Sequence, residues 1–146
     1  MARILAVDPG EKRIGIAVSD PSATIAGPLG VIVHVSRTAD AARVARLALE
    51  QQAAIIVVGQ PLDSEGDIGP AARKAGRFAE ALREQTTIPV RLWDETGSTV
   101  EARSSRRQMG VKRAKRAGHL DEIAATVILQ TFLDALTGPE KSVLEG

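Results

Sequence analysis

The chain has 146 residues, with 19 basic and 18 acidic side chains, a net charge of +1 and 44% apolar residues. That length suits one domain with a proper core, and the near-neutral balance by itself excludes neither acidic nor basic partners. Three aromatic residues, Phe78, Trp93 and Phe132, are too few to build an array of rings for stacking bases, and the lack of cysteine excludes disulfides and thiolate zinc sites. No stretch has the make-up of a secretory signal or a membrane span, so the expected location is the cytoplasm, with no membrane partner.

In chain order, residues 4–7 (ILAV) form a short apolar run ended by Asp8-Pro9-Gly10, as expected of a strand covered on both faces. Residues 13–19 (RIGIAVS) alternate bulky with small and predict a second strand, joined to the first by a hairpin turn over 9–12. Residues 30–35 (GVIVHV) predict a third, β-branched strand. The period then changes. Ala41, Val44, Leu47 and Ala48 recur at helical spacing within 38–52, and residues 54–59 (AIIVVG) follow as the most hydrophobic run in the chain, a buried parallel strand. A polar loop over 61–70 leads to a helix over 71–85 that buries Ala75, Phe78, Ala79 and Leu82. Residues 89–93 (PVRLW) predict a fifth strand, ending at Asp94-Glu95. Ser98 and Glu101 fit a capping box, starting a helix that Gly110 ends. A last helix spans 120–136, closed by Gly138-Pro139.

Three meandering strands followed by strand–helix crossovers predict an α/β fold. Its sheet is mixed and five-stranded, with the first strand near the middle and helices on both faces. The expected organisation is a single domain over 1–138 with a C-terminal tail over 139–146. The first, fourth and fifth strands are then parallel, and their C-terminal ends share the edge where open α/β sheets bind ligands. Asp8 and Asp94-Glu95 meet there. Asp121 shares a helical face with Ala124, Ala125, Ile128 and Phe132, so it points inward from the first turn of the last helix.

Gathered carboxylates repel unless a cation lies between them, and oxygen-only ligands suit Mg²⁺ or Mn²⁺. Each acid also has a plainer explanation. Asp8 can cap a turn, Asp94 and Glu95 can be solvated strand-end residues, and Asp121 can answer the helix dipole. Residues 102–120 contain no acid but carry Arg103, Arg106, Arg107, Lys112, Arg113, Lys115 and Arg116. Such a run is either a solvated face or, beside a cluster of acids, the contact surface for a phosphodiester backbone.

The segments VDPGEKRIGIAVSD, VVGQPLDSEGDIGPAARKAGRFAEAL, PVRLWDETGSTVEAR and HLDEIAATVILQTFLD resemble the four blocks of the YqgF/RuvX family. These are Holliday-junction-resolvase-like proteins, regarded as nucleases that process the 5′ end of precursor 16S ribosomal RNA. The resemblance covers nearly the whole chain and implies an RNase H-like fold. It further implies a two-metal phosphodiester hydrolase using Mg²⁺ or Mn²⁺. Asp8, Glu95 and Asp121 match the family's acidic positions as metal ligands and catalytic residues, with Asp94 in reserve.

The implied partner is nucleic acid, a ribosomal RNA precursor before branched DNA, held by Lys12, Arg13 and the basic run from Arg103 to Arg116. A monomer is expected. Two positions depart from the family pattern. Thr96-Gly97 replace the usual Arg-Leu, leaving Thr96 and Ser98 to hydrogen-bond phosphate. Gln60 stands where the family has Leu, and the acid that junction resolvases carry near the end of the fourth strand is missing. The alternatives are a Holliday junction resolvase, a nucleic-acid-binding factor without chemistry, and a phosphate-binding ATPase. The last would need two such domains around its nucleotide.

Overall fold

A computed structural model describes residues 2–62, 67–94 and 121–137. Their elements are β1 (Arg3–Pro9), β2 (Arg13–Ser19), β3 (Ala26–Val33), α1 (Arg37–Glu50), β4 (Ala53–Gln60), α2 (Pro70–Gln85), β5 (Val90–Asp94) and α3 (Asp121–Thr137). The sheet order is β3-β2-β1-β4-β5, with β2 antiparallel to both neighbours and β1, β4 and β5 parallel. This is the mixed five-stranded RNase H-like sheet expected from the strand order and from the resemblance, with β1 at its centre. The helix expected over 98–110, the loop over 63–66 and the tail over 139–146 lie outside the described residues. No helix of the described residues is long and apolar enough to cross a membrane.

The period-two alternation of the strands divides the core into two layers. On one face Leu5, Val7, Ile14, Ile16, Ile56 and Val58 pack with Ala41, Val44 and Ala48 of α1 and with Ala75, Phe78, Ala79 and Leu82 of α2. On the other, Ile4, Ala6, Ala17 and Val57 pack with Ala125, Ile128, Leu129, Phe132 and Leu133 of α3. Covering on both sides is why β1 is apolar at every position from Ile4 to Val7. Ala6, Ala17 and Ala125, all fully buried, let α3 lie close against the strands. The alternation of bulky and small residues along β2 reflects this difference between the two faces.

Helix starts are set locally. The Ser36 side chain accepts the Ala39 N–H at 3.1 Å and caps α1, while α2 opens on Pro70 at a position that needs no donor. Asp40 in the first turn of α1 is buried, takes the Val35 N–H at 3.0 Å and pairs with His34 Nδ1.

β3 differs most from expectation, running over Ala26–Val33 rather than 30–35. Its start is fixed by a turn that no periodicity reveals. The Asp20 carboxylate accepts the N–H groups of Thr24 at 2.8 Å and Ile25 at 3.0 Å and the Ser22 hydroxyl, and the Ala26 N–H donates to Gln130 Oε1 at 3.0 Å. β3 is an edge strand with one neighbour, so Pro28 is tolerated inside it. A bulge absorbs Leu29, the register passing from Ile16↔Gly30 to Ala17↔Pro28. The strand stops at Val33 because the His34 N–H donates to the Lys12 carbonyl and the Val35 N–H turns to Asp40.

Two outcomes follow from this packing. Leu129→Ala, at a fully buried site between α3 and the sheet, should cost about 2–5 kcal/mol in urea unfolding with the fold retained. The bonds from Ile25, Ser22 and Thr24 hold the Asp20 carboxyl down from its ordinary 3.8 to about 2. A depressed carboxyl stabilises the turn above its unfolded value, and that contribution is lost as pH falls. Amide signals of Thr24 and Ile25 should therefore keep their native shifts down to pH 3.8 and move as the pH falls through about 2.

Candidate active site

The C-terminal ends of the three parallel strands form one edge of the sheet, and Asp8 stands there near the end of β1, half-buried. Alternation puts it on the α3 face, in line with Ile4 and Ala6. The chain then reverses sharply, the Gly10 N–H donating to the Arg13 carbonyl at 3.0 Å. A Cβ at Gly10 would collide with that carbonyl, so the turn requires glycine.

Asp8 has glycines beside it on both sides. Its cross-strand partner on β2 is Gly15. The pairing of Val7 with Val58 makes Gly59 its neighbour on β4, and Gly59 lies on the same face as Val57. Both glycines are buried, and on the same face lie Ala6, Ala17 and Val57.

Asp94 reaches the same edge, paired with Gln60, but belongs to the other face. Val90 and Leu92 pack in the layer of α1 and α2, whereas Trp93 packs with α3, so alternation places Asp94 on the α1/α2 side. Gln60 lies on that side too, its Nε2 donating to the Ala72 carbonyl at 3.2 Å, away from Asp8. Asp121 is the first residue of α3, in the helical row of Ala124, Ala125, Ile128 and Phe132, all of which are buried as expected. Glu95 and the basic residues Arg103, Arg106, Arg107, Lys112, Arg113, Lys115 and Arg116 lie outside the described residues. Lys12 and Arg13 are exposed in and just after the hairpin turn. Among the described residues, no three His, Asp or Glu side chains gather as a metal cluster.

Three features of this edge escape periodicity. Lys74 of α2 extends to the Gly10 carbonyl at 3.4 Å. His34, oriented by Asp40, lies beside the turn through the bond of its N–H to Lys12. Trp93, next to Asp94, meets Phe132 edge to face with centroids 5.2 Å apart and donates from Nε1 to Thr131 Oγ1 at 2.9 Å. That pair ties the end of β5 to α3.

Residues 2–135 match the family profile described as "RuvX: Holliday junction resolvase". The chain belongs to the RuvX family. It is 42% identical over 134 residues to a "Putative pre-16S rRNA nuclease" of Thermoanaerobacter pseudethanolicus, a match spanning 91% of this chain and 96% of that protein. A protein of the same name from Roseiflexus sp. is 41% identical over 133 residues, across 91% and 94% of the two chains. Among solved structures, Thermus thermophilus RuvC in complex with a Holliday junction substrate superposes with a TM-score of 0.58 at 17% identity, over 94% of this chain and 97% of that one. The fowlpox virus resolvase with its Holliday junction DNA gives 0.53 at 14% identity, over 93% and 99%. At such identities the likeness is one of fold, and this RuvX-family chain has the sheet and flanking helices of that fold.

Breaking the tie between β5 and α3 should be measurable. Thr131→Val leaves the half-buried Trp93 N–H without its partner and should cost about 1–3 kcal/mol, together with a change in the emission of this sole tryptophan.

Proposed function

We propose that this RuvX-family chain is a nuclease that hydrolyses phosphodiester bonds in structured RNA, acting as a monomer at the 5′ end of a 16S ribosomal RNA precursor. The observation that carries this reading is Asp8 at the end of the central strand, between Gly15 and Gly59. It is supported by relatives about two-fifths identical over nearly the whole chain that are named for that activity.

The donor set is oxygen only, which fits Mg²⁺ or Mn²⁺, and Asp8, Glu95 and Asp121 are the residues that would hold it. When bound, such an ion supplies Lewis-acid stabilisation of phosphate charge and lowers the pKa of water. Asp8 fixes the site at the sheet edge, and the glycines beside it add no side chain between it and the scissile phosphate. Lys12 and Arg13 approach the phosphate chain from the hairpin turn, and Arg103, Arg106, Arg107, Lys112, Arg113, Lys115 and Arg116 neutralise it further along. Thr96 and Ser98 hydrogen-bond its oxygens in place of the family's arginine.

Alternation supports Glu95 over Asp94 as the ligand. Asp94 falls on the face of Leu92, opposite that of Asp8, which leaves Glu95 as the candidate of the pair. Asp121 opens α3, the helix that packs on the Asp8 face of the sheet.

One observation favours a second reading, a nucleic-acid-binding factor without chemistry. The last α3-face position of β4 is Gly59, so that strand contributes no acid beside Asp8. Cleavage of a precursor 16S RNA and of a four-way DNA junction, each with and without Mn²⁺, separates nuclease, resolvase and binder. RNA cleavage is the expected result, and binding of both without cleavage would establish the second reading. Asp8→Asn should lower cleavage at least about 100-fold while the melting temperature holds. Asp94→Asn should cleave within about threefold of wild type, and Glu95→Gln should match Asp8→Asn. Equal losses for Asp94→Asn and Asp8→Asn would put the acid pair in the opposite order.

A further inference from the structure

α1 and α2 lie side by side on the sheet face opposite the Asp8 carboxylate, and both begin at the edge where Asp8 stands. β3 and β4 run in the same direction as β1, and each helix follows the end of its strand. Between the helices is an open cleft of about 490 Å³, lined at one end by Arg37, Thr38, Arg73, Gly76 and Arg77.

The chemistry of this cleft is not that of an ordinary solvated helix pair. Arg73 and Arg77 stand four residues apart on α2, a like-charge spacing that destabilises a helix by about 0.2–0.5 kcal/mol, with Lys74 beside them. The acid placed to relieve Arg77 is Glu80, and it pairs with Arg83 instead. Among the described residues, the guanidinium groups of Arg37, Arg73 and Arg77 have no hydrogen-bond or ion-pair partner.

Gly76 adds to the anomaly. It lies inside the helix, where glycine costs about 1 kcal/mol against alanine, yet a Cβ there would meet nothing within 4 Å. Packing does not require it, and its effect is to keep the floor of the cleft low between the two arginines. Across from them, α1 presents the Thr38 hydroxyl and its first-turn N–H groups, of which Ser36 takes those of Ala39 on its hydroxyl and Asp40 on its carbonyl. Guanidinium forks, a hydroxyl and a helix N-terminus are all donors to phosphate oxygens.

The cleft is continuous with the Asp8 edge. Lys74 reaches the turn after Asp8 through the Gly10 carbonyl, and the segment leading into Arg37 is bonded to Lys12 through His34. At its far end, Glu80 and Glu84 make it acidic, so the basic part covers only the mouth nearest the edge.

We infer that the mouth of the α1/α2 cleft is a second phosphate-backbone groove, taking up the nucleic-acid strand after it passes over the sheet edge from Asp8. This rests on the nucleic-acid reading of the Asp8 site but not on its chemistry. Arg37, Arg73 and Arg77 grip successive phosphates, Lys12 and Lys74 bridge the crossing, and the glutamates turn the strand away. Contacts of this kind set register on the enzyme and carry no base information.

The test uses the full chain and a fluorescein-labelled single-stranded RNA of about 16 nucleotides. Anisotropy measures binding at several salt concentrations, and gel analysis with Mn²⁺ measures cleavage of the same RNA. Arg73→Gln/Arg77→Gln should reduce the slope of log affinity against log salt by about 1.4, two contacts at 0.7 each, and Arg37→Gln by about 0.7. The double variant should melt at or above the wild-type temperature, because a like-charge pair is removed. Arg46→Gln, exposed on α1 outside the cleft, should leave slope and cleavage unchanged. A wild-type slope in both cleft variants would overturn the groove even if cleavage is robust. An RNA that binds with the predicted slope changes but is never cut would uphold the groove, and the nuclease reading would stand or fall separately on cleavage of the precursor 16S RNA. No binding by wild type would overturn the groove.

Discussion

The burial of β1 on both faces is the constraint on which the rest of this molecule depends. With Leu5 and Val7 committed to α1 and α2, and Ile4 and Ala6 to α3, the strand can neither slip by one residue nor rotate. A slip would exchange two different layers, to which the sheet contributes Leu5, Val7, Ile14, Ile16, Ile56 and Val58 on one face and Ile4, Ala6, Ala17 and Val57 on the other. Asp8 is therefore delivered to a fixed face at a fixed height. Its half-buried carboxylate costs least where the strand ends, at the border between the dry sheet and water.

The same alternation distributes every other polar group at that edge. Gln60 and Asp94, paired across β4 and β5, fall on the α2 side, and Gln60 is used up by the first turn of α2. Gly15 and Gly59 fall on the side of Asp8 and add no side chain beside it. An acid one residue earlier or later along β5 belongs to a different surface of the protein. Register, rather than proximity in sequence, thus decides which carboxylates can act together.

Much of this was legible in the sequence. Continuous apolar runs in β1 and β4, alternation in β2 and the helical spacing of α1, α2 and α3 reflect burial, and burial is what hydropathy patterns record. Asp8 stood out because an acid ends an apolar run. β3 was misjudged at its start because Gly27, Pro28 and Gly30 are poor strand formers. An edge strand tolerates them once the Asp20 turn and Gln130 have fixed its beginning. The division of Asp94 from Asp8 was hidden for another reason. The face of a strand-end residue depends on register with its neighbours, and two adjacent acids look alike in one dimension.

The arginines of the cleft were invisible for a related reason, and they bear on how the edge works as a whole. Arg103 to Arg116 form a contiguous basic run that any scan finds, whereas Arg37, Arg73 and Arg77 come from two helices and meet only when α1 packs on α2. A fourth-strand acid beside Asp8 would add charge that repels a phosphodiester. With Gly59 in that place, the edge carries less negative charge. Positive groups are set at its hairpin turn and along the cleft behind it. On the proposed reading, such an edge would attract the phosphate chain to Asp8 mainly through groups that lie to either side, and phosphate contacts of that kind carry no base information.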